Sequence, residues 1–342
     1  MTTISEFLLQ AGTQFWAFDL SRGIQLLPSQ QFLEIESGII AHPSPRQQHA
    51  WFAIVFNNKM LTAQHYIWFV KLPLDEIGKV QDAARSQFLQ IIVEALGRDM
   101  QQGENGSADL PENPFSFVPN QQQMADFNSL CRKTLIQPPS EHFKPTQGYF
   151  ANPSPDSWQT LAMQGISDFV VFSSDTELTA VLQHQLPTLP EPVISSLFSS
   201  LENRQINKAA TQAVLDFAEN NAGNHRLQGL AQRAISQSTA NALVSNYLMQ
   251  LLTASNNELS LDSLVVIAGR HWQRLHNNPA LLTAFFEKLA SQPQTAESFS
   301  ALFADLVQIP LLRTEILGLI RQADRSEALS RAIGKLFTHE VR

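Results

Sequence analysis

A single cysteine, Cys131, leaves no partner for an intrachain disulfide, and a 342-residue chain without one fits a reducing cytoplasm. Charge is sparse as well. Only 16% of residues are Asp, Glu, Lys or Arg, so a large share of the chain must be internal or in contact with a partner. The balance is acidic, 23 basic against 31 acidic residues and a formal net charge of −8. Without a basic block to offset it, this charge opposes a phosphate backbone, and no nucleic-acid partner is expected. No stretch approaches the roughly 18 apolar residues of a membrane span. The segment Met1–Gly12 lacks the positive lead and long apolar core of a secretory signal, and Glu6 interrupts its apolar run. The expectation is a cytoplasmic protein with no membrane partner.

Signatures of chemistry are missing too. Gly103 and Gly106 sit in a polar segment, and Gly334-Lys335 is followed by Leu336 where a phosphate-cradling loop needs Ser or Thr. The Gly-x-Ser-x-Gly elbow of esterases is absent. Nine histidines include no His-Glu-x-x-His or comparable pair; His271 and His276 are five apart, whereas a helical metal pair needs ligands three or four apart. No catalytic residue, cofactor or metal is assigned on these grounds.

What is present is periodicity. Ile206 to Phe217, Leu227 to Ile235, Leu243 to Leu252, Leu281 to Leu289, Phe299 to Leu306 and Leu329 to Leu336 each carry apolar residues three or four apart. Each such helix has one apolar stripe that it cannot bury alone, so neighbours must stack. Asn220-Asn221, Asn256-Asn257 and Asn277-Asn278 punctuate the series as asparagine does at helix ends and turns. Ser174-Asp-Thr-Glu177 and Asp324-Arg-Ser-Glu327 have the form of capping boxes.

The front half reads differently. Thr3-Ile-Ser-Glu6 caps a short helix, Thr13–Leu20 and Gly23–Leu27 flank Ser21-Arg22 like hairpin arms, and a second helix runs from Pro28-Ser29 to Gly38. Trp51–Phe56 and Tyr66–Val70 are apolar at every position, which predicts paired strands covered on both faces. Val80 to Ala95 then traces a covering helix. The fold class expected is an α+β amino-terminal domain, residues 1–150, with a polar linker or loop over 98–119. An all-α helical array, HEAT-like or a generic α-solenoid, follows over 151–342.

Two groups of side chains stand out as candidate sites. Asp75 and Glu76 follow the second aromatic strand, where a carboxylate pair can face a cleft, or else favour the approach to a helix. On a helix read from Ser260 to Leu275, Leu261, Leu264, Val265, Ala268, Trp272 and Leu275 form a stripe with Val266 opposite. Arg270 and Arg274 lie beside it, one turn apart, with His271 between. They can bind a partner's carboxylates bidentately, or pair with acidic residues of a neighbouring helix.

Phe7-Leu-Leu-Gln-Ala-Gly-Thr13, Phe18-Asp-Leu20, Gln48-His-Ala-Trp51 and His65-Tyr-Ile-Trp-Phe-Val-Lys-Leu-Pro-Leu-Asp-Glu76 resemble a family of uncharacterised gamma-proteobacterial proteins classed as a domain of unknown function. The resemblance is specific over roughly the first 76 residues and looser beyond. It implies a bacterial cytoplasmic protein and brings no catalytic residue, cofactor or partner. The function expected is that of a non-enzymatic interaction or adaptor protein that binds another protein through its helical surface. The alternative is an enzyme or small-ligand binder with its pocket between the two domains.

Overall fold

The structure is a computed structural model and describes residues 3–58, 65–102, 112–154, 156–254, 259–292 and 296–338. Its contacts divide the chain into two compact units, one of residues 1–118 with 304–314, the other of 119–303 with 315–342.

In the first unit, Thr3 Oγ1 accepts the Glu6 amide at 3.1 Å and starts α1 (Ile4–Gln10), as the capping pattern predicts. Gly12, at φ +73°, turns the chain into β1 (Thr13–Asp19), a conformation that favours glycine. β2 (Gln25–Leu27) returns antiparallel, and Pro28 precedes α2 (Ser29–Glu36). After the proline-bearing loop come β3 (His49–Asn58), β4 (Tyr66–Pro73) and α3 (Asp82–Gln102). The sheet order is β2-β1-β3-β4, all neighbours antiparallel, so β1 against β3 joins the two hairpins. Phe32, Phe52, Ile54, Val70, Leu72 and Phe88 belong to one buried cluster, with Phe32 and Phe52 edge to face. The alternate residues Ala53 and Val55 are buried as well, which accounts for a strand that is apolar at successive positions. Beyond β4, Phe115 O accepts the Lys71 amide at 2.7 Å and Phe69 O accepts the Phe117 amide at 3.2 Å. That pairing satisfies part of an otherwise open sheet edge.

Three sequence expectations are corrected here. Residues 98–102 of the expected 98–119 loop continue α3, 115–117 pair with β4, and 103–111 lie outside the described residues. Position 150 falls within a helix of the second unit, and the division lies instead at 118/119, where β-pairing ends and helix packing begins. A distant segment also belongs to the first unit. Asp305 Oδ1 accepts the Gln47 amide at 2.9 Å, Gln308 Oε1 accepts the Gln48 amide at 2.9 Å, and Arg22 donates to Asp305 Oδ2 at 2.8 Å. Gln47 and Gln48 have φ of 52° and 58°, in the left-handed region that non-glycine residues seldom occupy. The two side chains from 304–314 hold both amides in that conformation.

The helices of the second unit run α4 (Gln121–Thr134), α5 (Phe143–Ala151), α6 (Met163–Phe172), α7 (Asp175–His184), α8 (Glu191–Leu201) and α9 (Lys208–Asn220). They continue with α10 (His225–Ala234), α11 (Asn241–Thr253), α12 (Leu261–Arg270), α13 (Trp272–His276) and α14 (Pro279–Ala290). α15 (Ala296–Val307) and α16 (Pro310–Arg321) contribute residues to both units, and α17 (Glu327–Thr338) completes the series. α4 packs on α6, α6 on α8, α8 on α10 and α10 on α12, while α7 packs on α9 and α11 on α14. Each of the six periodic stretches forms a helix, except that Ile206 precedes α9 and Ile235 caps α10, and residues such as Val214, Ala231, Leu248, Phe285 and Leu329 are fully buried. At about 1.5–3 kcal/mol per large apolar side chain, these stripes are the main stabilising term. Helices α5 and α6 approach closely at Gly165, where a Cβ would lie 2.7 Å from His142 O. Cys131 is buried among them, and burial pushes its thiol up to about 11.

Caps define most of these helices. Ser174 and Glu177 form the expected capping box of α7. At α17 the cap is Ser326, whose Oγ accepts the Leu329 amide at 3.1 Å, so Glu327 begins the helix rather than closing a box with Asp324. Asn278 caps α14, and Asn256-Asn257 lie outside the described residues.

Polar side chains also cross between these helices. Asp126 Oδ1 accepts from Ser200 Oγ at 2.5 Å, Ser167 Oγ at 2.7 Å and Gln122 Nε2 at 3.0 Å. Burial, only partly offset by those neutral donors and increased by Glu202, holds Asp126 up at about 6. Asp168 accepts from Ser129 Oγ at 2.6 Å and Ser140 Oγ at 2.5 Å, joining α4, α6 and the loop before α5.

Candidate functional site

The helix expected over Ser260–Leu275 breaks at His271 into α12 and α13. The stripe differs accordingly. Ile267 is buried with Leu264 and Ala268, and Val265 is exposed. At the break, His271 is completely buried and its Nε2 donates to Gln232 O at 2.9 Å, which leaves Nδ1 to accept from Arg274 Nη1 at 3.3 Å. Burial, with Arg274 beside it, drives its pKa down to about 3, so the ring is neutral at physiological pH.

The two arginines have different surroundings. Arg270 donates from Nε and Nη2 to Glu202 at 2.9 and 3.1 Å, and Arg233 Nε reaches the same carboxylate at 2.8 Å. Burial alone would raise the Glu202 pKa, but the two guanidinium groups more than offset it and hold the carboxyl down at about 2. The acidic-partner reading thus describes Arg270, with the carboxylate just past α8 rather than on a later helix. Among the described residues Arg274 meets no carboxylate. Its Nη1 donates to Ser236 O at 2.5 Å, and its Nη2 to Ser238 O at 2.9 Å and Asn241 Oδ1 at 3.3 Å. Burial lowers this guanidinium to about 10, so it stays charged at neutral pH.

Arg274 also lines a groove of about 800 Å³ formed by the turn between α10 and α11, the start of α11, and the stretch from α13 to α14. Asn241, Asn246, Gln273, Asn277 and Asn278 supply amides to it, and Ser236, Ser238 and Thr239 supply hydroxyls. Among the described lining residues Arg274 is the single charged one. Ser236 Oγ is buried at this groove without a hydrogen-bond partner among the described residues. A second groove, about 920 Å³, lies between α7 and α9 and mixes Leu182, Leu186 and Phe217 with His184, Lys208 and Asp216.

The carboxylate pair of the first unit has a different setting. Asp75 Oδ1 accepts the amides of Ile77 at 3.0 Å and Lys79 at 2.8 Å, closing the turn that carries Gly78 at φ +82°. α3 begins only at Asp82, so the pair is part of a turn and not of a helix start. Glu76 O accepts from Arg313 Nη2 at 3.2 Å.

Sequence periodicity alone gave no signal for the groove, since its walls come from turns and helix ends; the asparagine pair Asn277-Asn278 was legible only as a helix terminus. Among the described residues no group of three or more His, Cys, Asp or Glu side chains is arranged to hold a metal ion. No helix among them is long and apolar enough to cross a membrane. No curated protein and no solved structure matches the chain. A family model described as a protein of unknown function, DUF3549, matches residues 1–337, and the chain belongs to that family.

Proposed function

We propose that this chain is a non-enzymatic interaction or adaptor protein of the bacterial cytoplasm, whose second unit is a generic α-solenoid of HEAT-like kind that binds another protein. The observation that carries this reading is the α10–α14 groove: open, rich in amides and hydroxyls, with one cation and no acid–base pair among its described lining residues. Side-chain amides offer both a donor and an acceptor, which suits peptide groups. The packing of α4 on α6, α6 on α8, α8 on α10 and α10 on α12 supports a stacked arrangement, the usual support for an extended binding face.

A photoreactive amino acid placed at exposed Asn246 tests it, with the same group at Lys144 on α5 as the control position. The expected result is a discrete protein adduct in a bacterial lysate at Asn246 and none at Lys144. No adduct at Asn246, together with a small molecule that copurifies and is turned over, would replace this reading with the ligand-binding alternative.

A further inference from the structure

We infer that the α10–α14 groove takes an extended acidic segment of a partner polypeptide, with one Asp or Glu side-chain carboxylate seated at the first turn of α11 beside Ser236 and Arg274. This rests on the interaction reading above and names the chemistry of the partner.

Three observations converge on that seat. The N-cap residue of α11 is Ala240, which has no side-chain acceptor, whereas α9, α10, α12 and α14 are capped by Asn207, Asn224, Ser260 and Asn278. The first turn of this 13-residue helix therefore has no side-chain cap to offset its positive end, and Asn241 and Ala242 of that turn line the groove. Ser236, 5% exposed, also lines it, with a hydroxyl that has no partner among the described residues. Arg274 supplies a full charge that no carboxylate among the described residues neutralises, and its 3.3 Å contact to Asn241 Oδ1 is long enough to be exchanged for a better acceptor.

The rest of the lining selects the class of ligand. None of the described lining residues is aromatic, so none can stack on a base, and a single arginine cannot track a run of phosphates. Asn246 lies along α11 from the seat and Asn277 along the chain from Arg274, both exposed and free to pair with peptide groups flanking the carboxylate. The chain as a whole is acidic at −8, which opposes an acidic partner at long range, so the attraction to a carboxylate is confined to the short range of Arg274.

The test is selection of displayed random dodecapeptides, each followed by a linker so that no free terminal carboxylate is present, on the full chain. Enriched peptides are expected to share an Asp or Glu at a fixed position, and replacing it with Asn or Gln should weaken binding at least tenfold. Ser236→Ala should weaken the same peptides about threefold or more, and the exposed pair Asn246→Asp with Asn277→Asp at least tenfold, with circular dichroism and thermal midpoint unchanged. Because Arg274 also holds the α10–α11 turn, these variants carry the test in its place. Peptides enriched without a preferred carboxylate, or insensitive to the groove variants, overturn the acidic seat and leave the interaction reading standing. Failure of the full chain to enrich any peptide also overturns the proposal, and the Asn246 cross-linking result then decides the interaction reading separately.

Discussion

In the first unit the buried carboxylates hold backbone amides; in the second the buried carboxylates hold chiefly side chains. Glu36 accepts the amides of Ile4 at 2.7 Å and Ser5 at 2.9 Å, Asp19 that of Ser21 at 2.8 Å, and Asp305 that of Gln47. Asp126 and Glu202 instead collect Ser, Gln and Arg side chains from other helices, and Asp168 does so with one added loop amide from Ser140. The reason is the state of the main chain. A helix satisfies most of its own amides, so a carboxylate between helices finds only side chains, whereas turns and helix starts around a small sheet leave amides to be met. Local partners then set ionisation. Burial would raise the Asp19 pKa, but His42 at 3.5 Å and the contacts from Ser21 together outweigh it and keep that pKa low, while Glu36, surrounded mainly by neutral donors, is pushed up by burial.

The strongest way to break this contrast is at Glu202. Glu202→Gln leaves Arg233 and Arg270 partly buried without their counter-ion, and we expect a loss of about 3 kcal/mol, the low end for a broken buried pair, because Arg233 stays 33% exposed. Chemical denaturation measures it, and a change below about 1 kcal/mol would show the cluster to be solvated. Glu202 contributes stability above its unfolded pKa of 4.5 and loses it as pH falls toward about 2.

Asp126 has the opposite sign. Its folded pKa, about 6, exceeds the model-compound 3.8, so between those values the unfolded chain binds fewer protons than the folded one. Its effect on stability is therefore most favourable below about pH 4 and worsens as pH rises to about 6, by up to about 3 kcal/mol. Asp126→Asn should flatten that decline, seen as a smaller drop in denaturation midpoint between pH 4 and pH 7. An unchanged profile would mean that the serines keep Asp126 ionised.

The backbone-holding unit predicts smaller effects. Asp305→Ala removes the acceptor for the Gln47 amide and the partner of Arg22, at a cost of about 1–3 kcal/mol. Hydrogen exchange should show the loss first in the first unit, at the amides of Gln47 and Gln48; faster exchange confined to α8–α12 would contradict the assignment. The smallest effect is at Gln48, where Gln48→Gly relieves left-handed strain but adds unfolded-state freedom, for a net gain of under about 1 kcal/mol. Gln48→Val should be at least about 1 kcal/mol worse than Gln48→Gly in the same denaturation experiment.

Local pattern made much of this legible in the sequence. The hairpin arms, the aromatic strands, the capping of α1 and α7, and the six amphipathic helices all follow from spacing and caps that act over a few residues. Pairing over long separations did not. Nothing in Phe15 or Phe56 marks them as cross-strand neighbours, and Glu202 meets Arg233 and Arg270 from 31 and 68 residues away. His271 shows the limit within one element: apolar spacing predicts a continuous helix, whereas the chain breaks at His271, whose buried imidazole meets Gln232 O from 39 residues away. Arg270 and Arg274 were equivalent by spacing, and tertiary partners alone separate an ion-paired arginine from one facing a groove.

The membership of 304–314 in the first unit has a consequence for biosynthesis. During translation residues 1–118 emerge complete with their sheet, yet the acceptors for the Gln47 and Gln48 amides lie more than 180 residues downstream. At roughly 5–20 residues per second the nascent sheet waits about 10–40 s for them, with those two left-handed amides held by solvent alone. The first unit is thus begun before the helices that lie between its two segments and finished only after most of them have been made.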